Sequence, residues 1–159
     1  MATSKYAHVE RERRWLLAAV PDLPEHARRL DIVDRYVSGT RLRLREVTEA
    51  GLVTRKLGQK VRLGQGAGEV AHTSIYLDQA EWDRLATLPA AEVRKARTLV
   101  SHVEGMVAVD VFGGHLAGLV LAEVDAGEGQ PWDLPASYGI LGEVTGDEAF
   151  TGGALALAR

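Results

Sequence analysis

At 159 residues, 46% of them hydrophobic, the chain suits one globular domain with a real core, and no apolar run reaches the length of a membrane span. It has no cysteine, which excludes disulfides, thiol nucleophiles and zinc-thiolate sites. The 19 Lys+Arg against 22 Asp+Glu leave a net charge of -3, which argues against wrapping by nucleic acid but leaves room for a basic pocket. The N-terminus runs straight into charged residues with no apolar signal region, so a cytoplasmic protein without a membrane partner is expected.

The first charged stretch, Glu10-Arg11-Glu12-Arg13-Arg14, has two readings. As a strand it puts Glu10, Glu12 and Arg14 on one face. As a helix it pairs Glu10 with Arg14 at i,i+4, and propensity favours this form. Beyond Pro21 and Pro24, residues 25–30 read as a short helix. Residues 31–37 are rich in β-branched and aromatic side chains and end at Ser38-Gly39, a hairpin signal. Residues 40–47 alternate, with Arg41, Arg43 and Arg45 opposite Leu42 and Leu44; after a turn at 49–51, residues 52–63 alternate again, with Lys56, Gly58, Lys60 and Arg62 opposite Leu57 and Val61. A glycine-rich loop at 64–68 lacks the GK[ST] ending of a phosphate loop and reads as a flexible hairpin connection. It leads into a strand at 69–77.

Asp78 is placed to cap a helix over 79–88, stopped by Pro89. Residues 92–103 read as a strand after their first turn, with Lys95 and Arg97 on one side. Glu104-Gly105 forms a hairpin into 106–112, where Val107, Val109 and Val111 oppose Asp110. Gly113-Gly114 turns the chain into 116–125, where Glu123 and Asp125 share a face; from 127 on the tail is turn-rich with short helical pieces. Short strands at hairpin spacing with few helices predict an antiparallel barrel or a strongly curved sheet.

Charge on one face and aliphatic residues on the other also describes a half-exposed sheet. Here, though, the polar face over 41–62 is almost purely cationic, while that over 110–125 is anionic. Two cations roughly 4 Å apart repel by about 4 kcal/mol at an effective dielectric of 20. Like charges gathered in a cavity make sense if a polyanion and a divalent cation neutralise them. The five histidines show no metal-binding spacing, and Trp15, Trp82 and Trp132 read as packing aromatics. Asp110 reads as a group that orients Lys95 or Arg97, with metal binding as the alternative. Arg11 and Arg13, turned outward beside Trp15, have no evident role in the strand reading.

The stretch from Glu10 through Glu12 and Arg14 to Leu16 resembles the ExExK signature of the CYTH superfamily, the triphosphate tunnel metalloenzymes. Further matches follow in that family's order: Arg43-Leu44-Arg45, Thr54-Arg55-Lys56, Lys95-Ala96-Arg97, Asp110-Val111-Phe112, the run ending Glu123-Val124-Asp125, Gly142-Glu143-Val144-Thr145, and Ala154-Leu155-Ala156. The resemblance spans nearly the whole chain. It implies an α+β, mainly β fold over 1–159 as one domain: an eight-stranded antiparallel β-barrel, the triphosphate tunnel, with short flanking helices. It settles the opening stretch as a strand.

The implied activity is metal-dependent hydrolysis of a linear triphosphate, either inorganic tripolyphosphate or a small organic triphosphate. Arg14, Arg43, Arg45, Lys56, Lys60, Lys95 and Arg97 would bind the phosphates, Lys60 either into the lumen or as the exposed end of a strand. Glu10, Glu12, Glu123 and Asp125 would hold Mg²⁺ or Mn²⁺. Lys56, Glu10 and Glu12 would be catalytic, and a lysine among arginines should titrate low, giving an alkaline optimum. Expected partners are a triphosphate-containing small molecule or inorganic polyphosphate, no nucleic acid and no membrane, in a monomer or homodimer.

Departures from the pattern are Arg14 for the signature lysine, Asp34 for a frequent glutamine, Asp125 for glutamate and Phe150 for tyrosine. In addition, Ala71, His72, Thr73 and Ser74 lie where the fifth strand usually carries acids. That gap favours a rival reading, a non-catalytic protein that binds polyphosphate or nucleoside triphosphate. A class IV-type adenylate cyclase is the other rival.

Overall fold

The computed structural model describes residues 5–64, 69–126 and 132–158. The expected loop at 64–68 lies outside the described residues beyond Gly64, as does the start of the tail at 127–131. The described chain forms β1 (His8–Leu17), β2 (Arg28–Val37), β3 (Leu42–Glu49), β4 (Leu52–Arg62) and β5 (Glu69–Tyr76), then the helix α1 (Gln79–Leu85). These are followed by β6 (Ala90–Ser101), β7 (Met106–Phe112), β8 (Val120–Asp125), β9 (Ile140–Glu143) and the helix α2 (Gly152–Leu157).

Every strand pairing is antiparallel. The sheet runs β5-β4-β3-β2-β6-β7-β8-β1, and β1 returns to β5, so eight strands close into a barrel. The seam is β1. One of its edges carries β8 along residues 12–16; the other carries β5 along residues 8–11 and then β9 along 15–17. Because side chains alternate along each strand, this closure turns one set of residues inward and the other outward.

The outward set of β7 and β8, with Trp15 and Leu17 of β1, is apolar. Trp15, Leu17, Val107, Val109, Val120, Ala122 and Val124 pack with Val100 beneath Leu134 and Tyr138 of the chain that follows β8. A second cluster sits at one end of the lumen, where Leu155 and Ala156 of α2 pack on Val93, Phe112 and Leu121. The apolar core therefore lies on an outer wall and at a plugged end, leaving the middle of the barrel to charge.

Arg13 and Arg11 acquire their roles here. Arg13 donates from two nitrogens to Glu143 at 2.9 and 2.8 Å and to the Trp132 carbonyl at 3.0 Å, with its guanidinium 4.8 Å from the Trp15 ring centre. It fastens β9 and the covering segment to β1. Arg11 bonds Glu69 at 2.8 Å across the β1–β5 seam.

Two expected helices differ from the structure. Residues 25–30 do not form one: a turn closed by Ala27 on the Pro24 carbonyl precedes β2, and Arg28 already faces Leu99. Six residues form a poor isolated helix, and pairing with β6 wins. The second helix begins as expected, with Asp78 and Glu81 in a reciprocal capping box, but ends at Leu85 rather than 88. Among the described residues no helix is long and apolar enough to cross a membrane.

Candidate active site

The barrel encloses a cavity of about 450 Å³. Among the described residues eight cations line it (Arg14, Arg41, Arg43, Arg45, Lys60, Arg62, Lys95 and Arg97) against four acids, Glu10, Glu12, Asp34 and Glu123. The excess of four positive charges sits inside a chain whose net charge is -3. Hairpin register produces this sorting. Arg14 lies opposite Glu123 on β1 and β8, Asp34 opposite Arg45 on β2 and β3, and Arg97 opposite Asp110 on β6 and β7.

Asp34, 1% exposed, accepts two hydrogen bonds from Arg45 at 2.6 and 2.7 Å, with Arg43 at 3.6 Å. Burial would raise its carboxyl, but the Arg45 charge and hydrogen bonds outweigh that and hold it at about 2. Asp110, fully buried, accepts from Lys95 at 2.5 Å and from Arg97 at 2.6 and 2.7 Å. It orients both cations, and Arg97 reaches on to Glu123 at 2.6 Å. Burial, reinforced by the Arg97 charge, pushes the Lys95 ammonium below its ordinary value even beside Asp110. Sequence reasoning assigned such a lowering to Lys56.

Arg14 donates to Glu123 at 3.0 Å and to the Phe150 carbonyl at 2.5 Å, and lies 3.5 Å from Glu12. Lys60 points into the lumen and donates to Glu10 at 2.8 Å and Glu12 at 3.0 Å. His72 shares 2.7 Å between its Nδ1 and the other oxygen of Glu10. Burial would raise the Glu10 carboxyl, but the His72 hydrogen bond and the Lys60 charge hold it at about 2.

Two of the expected site residues lie apart. Lys56 has the inward parity of Gly58 and Lys60 but does not line the cavity; its Nζ stands 4.9 Å from the Tyr76 ring centre. Asp125, at the exposed end of β8, accepts the Arg11 backbone N–H at 3.0 Å and also lies off the cavity wall. Among the described residues, two buried polar atoms of the cavity have no hydrogen-bond partner, Arg43 Nε and His72 Nε2. Both residues gather over Gly58, where an added Cβ would stand 3.2 Å from His72 Nε2 and 3.7 Å from Arg43 Nη2. This bare patch of backbone beside unspent hydrogen-bonding capacity suits a polar ligand.

No family model and no curated protein matches the chain. Solved structures do match. The inorganic triphosphatase NE1496 is 26% identical over 100% of this chain and 97% of its own, with a TM-score of 0.58. A second structure of NE1496, described as a hypothetical protein, gives 28% over 94% and 98%, with a TM-score of 0.57. The signature residues lie in order on the strands of the same barrel. This likeness along the whole chain is consistent with the CYTH resemblance of its sequence. A candidate adenylate cyclase from Bacillus halodurans, bh2851, shares the fold at 15% identity over 76% of this chain and 81% of its own, TM-score 0.50.

The fit of the cavity to a divalent metal can be judged from the cation its acids already hold. Among the described residues no three His, Asp or Glu side chains converge as a metal shell. Glu10 and Glu12 nevertheless place two oxygens on one ammonium, that of Lys60, as hard oxygen donors hold a hard cation. The pair suits Mg²⁺ or Mn²⁺ in donor type, with Glu123 farther along the wall. Sequence reasoning missed the lumenal role of His72. A lone histidine between Ala71 and Thr73 carries no local signal, and only the pairing of β5 with β1 brings it to Glu10.

Proposed function

We propose that this protein hydrolyses a linear triphosphate, inorganic tripolyphosphate or a small organic triphosphate, inside the charged barrel. The observation that carries the reading is the cationic excess of the lumen, set on a frame similar along its whole length to that of an inorganic triphosphatase. Arg43, Arg45, Arg62, Lys95 and Arg97 bind and orient phosphate oxygens, with Asp34 and Asp110 fixing the directions in which Arg45, Lys95 and Arg97 point. Phosphoryl transfer needs little covalent help, so such positioning and charge neutralisation supply most of the catalysis. Glu10 and Glu12, with Glu123, would hold Mg²⁺ or Mn²⁺; when bound, the metal neutralises phosphate charge and makes a bound water acidic.

The test is phosphate release from tripolyphosphate with Mg²⁺, Mn²⁺ or EDTA. Arg45→Ala and Lys95→Ala are expected to lower kcat/KM about 100-fold, the scale of removing one preorganised charge-stabilising group. Lys56→Ala should cost under about tenfold, because its ammonium lies off the cavity wall. No release by the wild type from tripolyphosphate, thiamine triphosphate or ATP would overturn the hydrolase.

A second reading, binding without turnover, draws support from one feature. The lumenal carboxylates are already engaged by protein cations, and β5 offers His72 where an acid is usual. Tight calorimetric binding of tripolyphosphate without release would select it. Cyclic AMP with pyrophosphate formed from ATP would select a cyclase instead.

A further inference from the structure

Several lumenal cations are anchored by acids that the metal reading does not involve: Arg45 by Asp34, Lys95 by Asp110, and Arg97 chiefly by Asp110. Lys60 differs, because it is held by the two carboxylates that the metal reading does involve. Its Nζ donates to Glu10 Oε2 at 2.8 Å and to Glu12 Oε1 at 3.0 Å. The side chain is 34% exposed, against 17% and 24% for its partners, so its outer part faces the open lumen. His72 bonds the other oxygen of Glu10, and therefore keeps that carboxylate in place whether or not Lys60 is present.

We propose that Lys60 is a tethered occupant of the cation position between Glu10 and Glu12, and that an entering triphosphate draws it off and opens that position to a divalent metal. The inference rests on the reading of the lumen as a triphosphate site. A metal arriving alone must expel the ammonium into a lumen already crowded with Arg43 and other cations, which give it no counter-charge. A triphosphate supplies that counter-charge, and the flexible four-carbon stem of lysine lets one ammonium serve the carboxylates or the phosphates in turn. Each ligand thereby eases the binding of the other, as reciprocal linkage requires. Lys60 is a positioning residue on this account: it decides when the acids are available.

The two halves are measured separately on the full chain. Mn²⁺ alone, titrated by electron paramagnetic resonance, is expected to bind Lys60→Met at least about tenfold more tightly than wild type, since Glu10 and Glu12 lose the ammonium they share. A methylene-bridged triphosphate analogue, titrated calorimetrically in EDTA, is expected to bind Lys60→Met about tenfold more weakly, since one phosphate contact is lost. These opposite signs separate exchange from damage to the fold, which would weaken both. Lys60→Gln provides a second variant with the same expected pattern, and a thermal melt confirms that each is folded.

Arg43→Met removes a charge from the same cavity without touching either carboxylate. An equal gain in Mn²⁺ affinity there would reduce the effect to a general field and overturn the proposal. Unchanged or weaker Mn²⁺ binding in Lys60→Met would overturn it as well. Failure of the analogue to bind wild type would instead overturn the triphosphate reading, a result that the Mn²⁺ titrations do not depend on.

Discussion

Asp34 joins folding to ionisation at a single carboxyl. Its value falls from the ordinary 3.8 to about 2 because Arg45 and Arg43 hold the charged form in a buried place. A depressed acid contributes stability that is complete above the unfolded value and is lost as pH falls through the folded one. The window is therefore about pH 4 down to about pH 2, and the contribution is roughly 2 kcal/mol. Urea melts across that window should show the wild type losing stability more steeply than Asp34→Asn; parallel slopes would refute the link. The same scale shows what alternation in a sequence can and cannot carry. Parity placed Glu10, Arg14, Arg43, Arg45, Lys95 and Arg97 on the inward face, where the structure has them. It also gave Lys56 that face, but parity says nothing of height along the barrel axis, and Lys56 sits beyond the cavity beside Tyr76. Asp125, at the other end of such a count, lies at the exposed end of its strand.

At the scale of elements, two joints invite substitution. Ala50 and Gly51 form the two-residue connection between β3 and β4, with φ of 48° and 81°, and Glu49 faces Leu52 across it. Positive φ at both positions marks the tight hairpin turn that asparagine-glycine suits best. Ala50→Asn should add about 0.5–1 kcal/mol by relieving the left-handed alanine. A urea midpoint that stays put or falls would count against it. The other joint is the seat of α2, where a Cβ on Gly152 would overlap the Tyr36 hydroxyl. Gly152→Ala should cost about 1–3 kcal/mol as α2 is pushed from the lumen. Combined with Tyr36→Phe, which removes the nearest obstructing atom, the cost should shrink; strict additivity in the double-mutant cycle would rule the contact out. Most strands were legible because their alternation is long and clean, as in β3 and β7. The first three residues of β2 were not, since their partners Leu99, Thr98 and Arg97 lie far along the chain on β6 and local propensity pointed to a helix.

For the molecule as a whole, the charge that matters is not the net charge. A polyanion meets a lumen with eight cations and four acids inside a chain of net charge -3. Attraction concentrated at such a cavity is screened over about 10 Å at 0.1 M salt. Raising sodium chloride from about 50 to 500 mM should increase KM for tripolyphosphate several-fold while kcat changes little; a KM indifferent to salt would mean that the lumenal field does not attract the substrate. The eight-stranded antiparallel barrel was legible, because the recurring series of charged strand faces carries it. The exchangeable partner of Glu10 and Glu12 was not, because it depends on how the seam closes. The placement of the apolar core on the outer wall, under Leu134 and Tyr138, has a wider consequence. Most barrels of this size fill their interior to stay folded, so altering the inside threatens the whole. Here much of the apolar cohesion sits outside the ring of strands, so inward positions that hold no buried ion pair, unlike Asp34, can change their chemistry with less penalty to the scaffold. Single substitutions at such inward positions can therefore alter the lumen without first losing the fold.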